Sequence, residues 1–127
     1  MSSLNKVILI GRLVKDPVLR MAAGGMPVTT FAIAVERNPN AKGVKEADFV
    51  PIVTFKKTAE NVANFLTKGR LVAVEGRLQI RDFMTKEGEK RRVAEVVANT
   101  VQFLDKPKEG YSAPQESVAK ESFPQAT

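Results

Sequence analysis

Phe49, Phe55 and Phe83 each stand beside charged residues: Asp48 precedes the first, Lys56-Lys57 follows the second, and Arg81-Asp82 precedes the third. Phenylalanine usually fills a core, and that use suits Phe31, Phe65 and Phe103, which lie in apolar rows. A ring set among cations offers different chemistry. Its π-face can stack on any nucleobase, worth about 1–3 kcal/mol per base whatever the sequence, while neighbouring cations follow the phosphates. From the sequence alone both uses stay open for these three rings. The cations that could line such a track are Arg20, Lys56, Lys57, Lys68, Arg77 and Arg81. A single lysine is ordinarily a solvated charge, but Lys56-Lys57 adjoin Phe55 and Arg81 lies two residues from Phe83.

Catalysis has little to stand on. The chain has no His and no Cys, so disulfides and thiolate or imidazole metal sites are excluded, and zinc would depend on carboxylates alone. The acids Asp16, Asp48, Glu60, Glu75 and Asp82 are scattered singly, without the clustering a Mg²⁺-dependent nuclease needs. Gly11 and the Gly24-Gly25 pair make no phosphate-binding loop. No enzyme activity, metal or cofactor is expected.

Composition points the same way. The 127 residues suffice for one domain, and 43% hydrophobic content allows a core. Residues 1–104 hold 17 of the 20 basic and 10 of the 14 acidic side chains, net +7, so the positive charge belongs to the folded part. Such a surface suits a polyanion, because Lys and Arg at phosphates release condensed counterions. The start MSSLNKVILIGR lacks the pattern of a secretory signal, and no apolar run approaches the ~20 residues of a membrane span. A cytoplasmic, nucleoid-associated protein with no membrane partner is the expectation.

The elements that must position these residues can be read in order. NKVILIGRLVK (Asn5–Lys15) is a strand whose Gly11 suggests a bend or bulge. Val18–Arg20 is a short extended piece. PVTTFAIAVE (Pro27–Glu36) is a long strand with neither face strongly polar, so one face is expected in the core and the other against a neighbouring subunit. A loop at Asn38–Glu46 leads to ADFVPIVTF (Ala47–Phe55). There period-two alternation separates Phe49, Pro51, Val53 and Phe55 from Val50, Ile52 and Thr54. Pro51 marks an edge or bulged strand. KKTAENVANFLTKG then predicts a helix capped by Thr58 with Glu60 in its first turn, closed by Lys68-Gly69. Its Ala59, Val62, Ala63 and Leu66 would plug a barrel end.

LVAVEGRLQIRDF (Leu71–Phe83) bends at Gly76, with Val72, Val74, Leu78 and Ile80 expected inward. Glu75, Arg77, Gln79, Arg81 and Phe83 are expected outward, and that cationic row ending in a ring suits binding. A charged hairpin at Met84–Lys90 leads to the last strand, Arg91–Leu104. Strand, helix, long strand, hairpin, strand forms the back half of an OB-fold. The fold class expected is mainly β: a five-stranded OB barrel over 1–104 with one helix between its third and fourth strands. Residues 105–127, rich in Pro, Ser, Gln, Lys and Glu, read as a disordered tail.

The segments NKVILIGRLVKDPVLR, AENVANFLTKG, LVAVEGRLQIRDF and EVVANTVQFL closely resemble the bacterial single-stranded DNA-binding proteins, in the same order over about Asn5–Leu104. The resemblance implies an OB-fold homotetramer that binds and protects single-stranded DNA in replication, recombination and repair. It places Phe49, Phe55 and Phe83 on stacking positions, and Arg20, Lys57, Lys68 and Arg81 on backbone-contacting ones. It also implies that the first strand, Lys6–Lys15, helps pair subunits into dimers. Two features depart from it. No aromatic stands near Asn38-Pro39, and the ending ESFPQAT lacks the acidic tip that docks partner enzymes. Docking through the tail is therefore in doubt, and an accessory role in DNA uptake, a mobile element or a phage stands open beside the replication role. A protein-interaction module on the same fold is the rival reading; a metal nuclease is the third.

Overall fold

The computed structural model describes residues 2–39 and 43–105. Loop residues 40–42 and residues 106–127, where most of the expected tail falls, lie outside the described residues. The elements run β1 (Val7–Leu13), β2 (Val18–Met21), a 3-10 turn (Ala23–Gly25), β3 (Pro27–Glu36), β4 (Ala47–Phe55), α1 (Lys56–Phe65), β5 (Leu71–Met84) and β6 (Lys90–Phe103). The five long strands are those expected from the sequence, with the helix between the third and fourth of them. The short piece after Pro17 is β2, an edge strand on β3.

The strands hydrogen-bond in the order β1-β5-β6-β4-β3-β2, and β1 also pairs with β3, which closes the sheet into a barrel. Closure needs a close approach at two glycines. A Cβ on Gly11 would stand 2.5 Å from the Ala34 carbonyl oxygen, and one on Gly76 would stand 2.1 Å from that of Val97. Opposite Gly76 the β5–β6 register slips, Glu75 pairing with Thr100 and Gly76 with Ala98, so Asn99 is bulged out. Gly76 stands at the expected bulge, whereas the β1–β5 register runs unbroken through Gly11, where the glycine admits the Ala34 carbonyl. Pro51 is accommodated just as simply. Its partner Ala32 turns its carbonyl to Val14, away from β4, and β4 meets β6 only at Ile52 and Val53. No ladder hydrogen bond is lost.

Ile33, Ile52, Val72, Val74 and Val96 fill the barrel from four strands, and Ala59, Val62 and Leu66 of α1 seal one end. The helix is tied in by polar contacts too: Thr29 Oγ1 donates to the Ala59 carbonyl at 2.8 Å, and Thr54 Oγ1 to the Thr29 carbonyl at 2.9 Å. Phe65 meets Phe103 with ring centroids 6.5 Å apart. Asp105, the first residue assigned to the tail, is bound to the barrel. Its carboxylate accepts from Arg70 Nε at 2.7 Å and from the Leu71 N–H at 3.1 Å.

Three local expectations are corrected. The helix starts at Lys56 rather than after a Thr58 cap, with Phe55 in the cap position, no side-chain cap and no acid in its first turn. Lys56 itself adopts φ +58°, a left-handed conformation that turns strand into helix within one residue. The helix ends at Phe65, because Leu66 goes extended as its side chain enters the core. Lys68-Gly69 belongs to the following turn. Leu78 and Ile80 do share the inward face of β5 but are 44% and 51% exposed. The ladder with β1 stops at Gly76 and β4 meets β6 only at Val96 and Val97, so past Leu78 β5 and β6 pair only with each other among the described residues. On the small side of β3, Ala32 and Ala34 stand opposite Pro51 and Phe49 of β4.

Candidate nucleic-acid interface

Register and alternation place the three rings on one side of the sheet. Val53 pairs with Val97, and Val97 with Arg77, so Phe49, Pro51, Val53 and Phe55 share the outer face with Arg77, Gln79, Arg81 and Phe83. The row runs on in the other direction. Phe55 pairs with Val28 and Val28 with Arg20, which sets Arg20 on the same face.

The rings lie at the surface. Phe49 is 69% exposed, Phe83 43% and Phe55 36%. Phe49 stands proud because its cross-strand neighbour is only Ala34. Phe31 is buried, while Phe65 and Phe103 pack on each other, so these three follow the packing expectation. Exposed aromatic area of this kind is normally covered in use.

Beside Phe55 lies an open cleft of about 500 Å³ whose lining includes Phe55, Lys56, Lys57, Thr58 and Arg77, with Met26 and Asn99. The β4–α1 junction makes it. Phe55 ends the strand, Lys56 turns left-handed, and Lys57 begins the helix face above Arg77 of β5. Lys57 Nζ is 4.0 Å from Glu60, a loose contact between exposed groups. Among the described residues the side chains of Arg20, Lys56 and Lys68 make no hydrogen bond or ion pair. Arg81 is different: its Nε donates to both oxygens of Glu95 at 3.2 Å. Lys68 is exposed in the turn after α1, where its N–H is held by Asp16 at 2.8 Å, and does not line the cleft.

At the far end of β4, Arg37 Nη2 reaches Asp48 Oδ1 at 2.6 Å and its Nε meets both carboxylate oxygens at 3.1 Å. Those hydrogen bonds hold the Asp48 carboxyl below the usual aspartate range and the Arg37 guanidinium above its own. The pair braces the β3–β4 loop next to Phe49. Other acids are also engaged, Glu75 by Lys6 and Asp82 by Arg92. Among the described residues no three acids gather where a metal ion could bind. No helix there is long and apolar enough to cross a membrane.

A profile described as the single-strand binding protein family matches residues 4–104. The chain belongs to that family. Single-stranded DNA-binding protein 2 of Staphylococcus aureus (strain Mu50 / ATCC 700699) is 53% identical over 103 residues, spanning 80% of this chain and 73% of that protein. The single-stranded DNA-binding protein of Caldanaerobacter subterraneus subsp. tengcongensis is 54% identical over 117 residues, spanning 89% of this chain and 77% of that one. Among solved structures, the Plasmodium falciparum SSB in complex with ssDNA superposes with a TM-score of 0.76 at 29% identity, covering 83% of this chain and 98% of that one.

For a member of the single-strand binding protein family, the outer face holds residues that sequence reading passed over. Met26 and Asn99 line the cleft, and Glu95 lies among the cations. The only signal for Asn99 was a polar residue interrupting VVANT at a strand position. Glu95 had none, since one acid beside an apolar run reads as an ordinary outward residue.

Proposed function

We propose that this protein binds single-stranded DNA without regard to sequence, stacking bases on Phe49, Phe55 and Phe83. Phosphates follow Arg20, Lys56, Lys57, Lys68, Arg77 and Arg81. The observation that carries the reading is that all three rings lie exposed on one sheet face with Arg20, Arg77 and Arg81. A duplex keeps its bases stacked on each other and cannot offer them to such rings. Each barrel would cover about 4–16 nucleotides.

Binding of this kind needs no bond-making step, so the role is protection of exposed strands in replication, recombination and repair, without catalysis, in the cytoplasm at the nucleoid. The assembly is a homotetramer whose dimers pair partly through Lys6–Lys15. Ile8 and Ile10 support this: they are exposed large aliphatics on the outer face of β1, and burying each contributes about 1.5–3 kcal/mol.

Anisotropy titration of fluorescein-labelled oligo-dT tests the reading, with duplex competitor and a salt series. The expected result is strong preference for the single strand and a log–log salt slope near −0.7 per phosphate neutralised. Equal affinity for duplex would sink the stacking mechanism. A stable oligomer with no affinity for oligo-dT at low salt would favour a protein-interaction module.

A further inference from the structure

The outer row of β5 is wired to one carboxylate on the strand beside it. Glu95 lies directly across from Gln79 in the β5–β6 ladder, and the residue is only 5% exposed. Its oxygens accept from Arg81 Nε at 3.2 Å each and from Gln79 Nε2 at 3.2 Å. Gln79 Oε1 in turn accepts from Arg77 Nη1 at 3.5 Å. The exposure is lopsided: the Glu95 side chain is 7% exposed and that of Arg81 54%.

A carboxylate here carries two costs, one to folding and one to polyanion binding. Its burial is unfavourable unless it is fully paired, and its charge repels phosphate. What it supplies in return is direction. By occupying the Nε side of the Arg81 guanidinium it leaves both Nη groups, which bond nothing among the described residues, on a side chain 54% exposed that shares its sheet face with Phe83. Those two groups form the fork that grips a phosphate through parallel hydrogen bonds.

We propose that Glu95 is a positioning residue for single-strand binding. It holds Arg81 directly, and Arg77 through Gln79, so that their outer edges meet the phosphates passing the rings. Resting on the function proposed above, the inference adds a sign that simple charge counting does not: removing this negative charge from a DNA-binding face weakens binding. An arginine held in place loses its rotamer freedom on folding rather than on binding, and a loosened one loses it at the expense of affinity.

The test uses the full chain and labelled oligo-dT over a salt series, with melting temperature and oligomer size followed in parallel. Glu95→Gln keeps the shape and one acceptor but drops the charge. It should weaken binding roughly three- to tenfold and flatten the salt slope by about 0.7, the loss of one phosphate contact. In an Arg81→Ala background the same change should have a clearly smaller effect, limited to what passes through Gln79 to Arg77. Unchanged or tighter binding by Glu95→Gln would overturn the proposal, as would an undiminished effect without Arg81. Arg81→Lys serves should Glu95 variants fail to fold, since lysine keeps the charge but lacks the Nε donor. It should bind as weakly as Arg81→Ala, and wild-type affinity would overturn positioning. Failure of the wild-type protein to bind oligo-dT is a separate result, which sinks the function itself.

Discussion

Thr54 donates its hydroxyl to the carbonyl oxygen of Thr29, its cross-strand partner, and Thr29 donates its own to the carbonyl of Ala59 in α1. Both threonines are fully buried. The relay runs from β4 through β3 to the helix that seals the barrel, and it fixes α1 just beyond the Phe55–Lys57 junction. Replacing either threonine by valine keeps the shape and leaves a buried carbonyl without that donor. Each change should destabilise by about 1–3 kcal/mol, read as a lower urea midpoint. If the relay is one unit, the double variant loses less than the sum of the two.

Phe49 and Phe83 are exposed, so their truncation should separate binding from stability. Phe49→Ala and Phe83→Ala should each weaken oligo-dT binding by about 1–3 kcal/mol. Unfolding free energies should stay within about 0.5 kcal/mol of the parent. Phe31→Ala is the contrast, a buried ring whose loss costs about 3–5 kcal/mol of stability. A large fall in melting temperature for Phe83→Ala would assign that ring to packing instead.

Much of this architecture was legible because alternation is a local property. The split between Ile52-Thr54 and Phe49-Pro51-Phe55 follows from strand geometry alone, and Gly76 marked the irregularity in β5. What periodicity cannot show is where a sheet stops being covered. Leu78 and Ile80 continue the row of Val72 and Val74, yet both lie past the end of the β1 ladder at Gly76 and are exposed. The helix start was misplaced for a related reason: Thr58 is a good cap by type, but a left-handed Lys56 makes the turn earlier. Glu95 was invisible because its role depends on Gln79 and Arg81, 16 and 14 residues away in sequence and adjacent only across the ladder.

The Arg37–Asp48 pair makes a pH prediction with a definite sign. Hydrogen bonding from Arg37 lowers the carboxyl's folded value, so what the pair contributes is present above the ordinary aspartate value of about 3.9. It is lost as pH falls through the lowered folded value. Binding next to Phe49 should therefore be insensitive to this pair between about pH 5 and 8. An NMR titration should find Asp48 below the ordinary range, returning towards it in Arg37→Ala and at high salt, because both groups are exposed and screened. An ordinary value in the parent protein would mean the pair does not persist in solution.

Lys56 sets backbone preference against position. At φ +58° a side chain is disfavoured by about 1–2 kcal/mol relative to glycine, yet the residue there is a lysine lining the cleft beside Phe55 and Arg77. Strain retained at such a place is a sign of use. Lys56→Gly removes the strain and the cation together, while adding the unfolded-state freedom of glycine, which offsets part of the gain. The net expectation is a small rise in stability, on the order of 0.5–1 kcal/mol. Affinity for oligo-dT should fall, with a salt slope shallower by about 0.7. Lys56→Ala separates the two effects, losing the cation but keeping the strain, and should match the glycine variant in binding and the parent in stability. Should the glycine variant bind as tightly as the parent, Lys56 makes no phosphate contact and its conformation serves only the strand-to-helix turn.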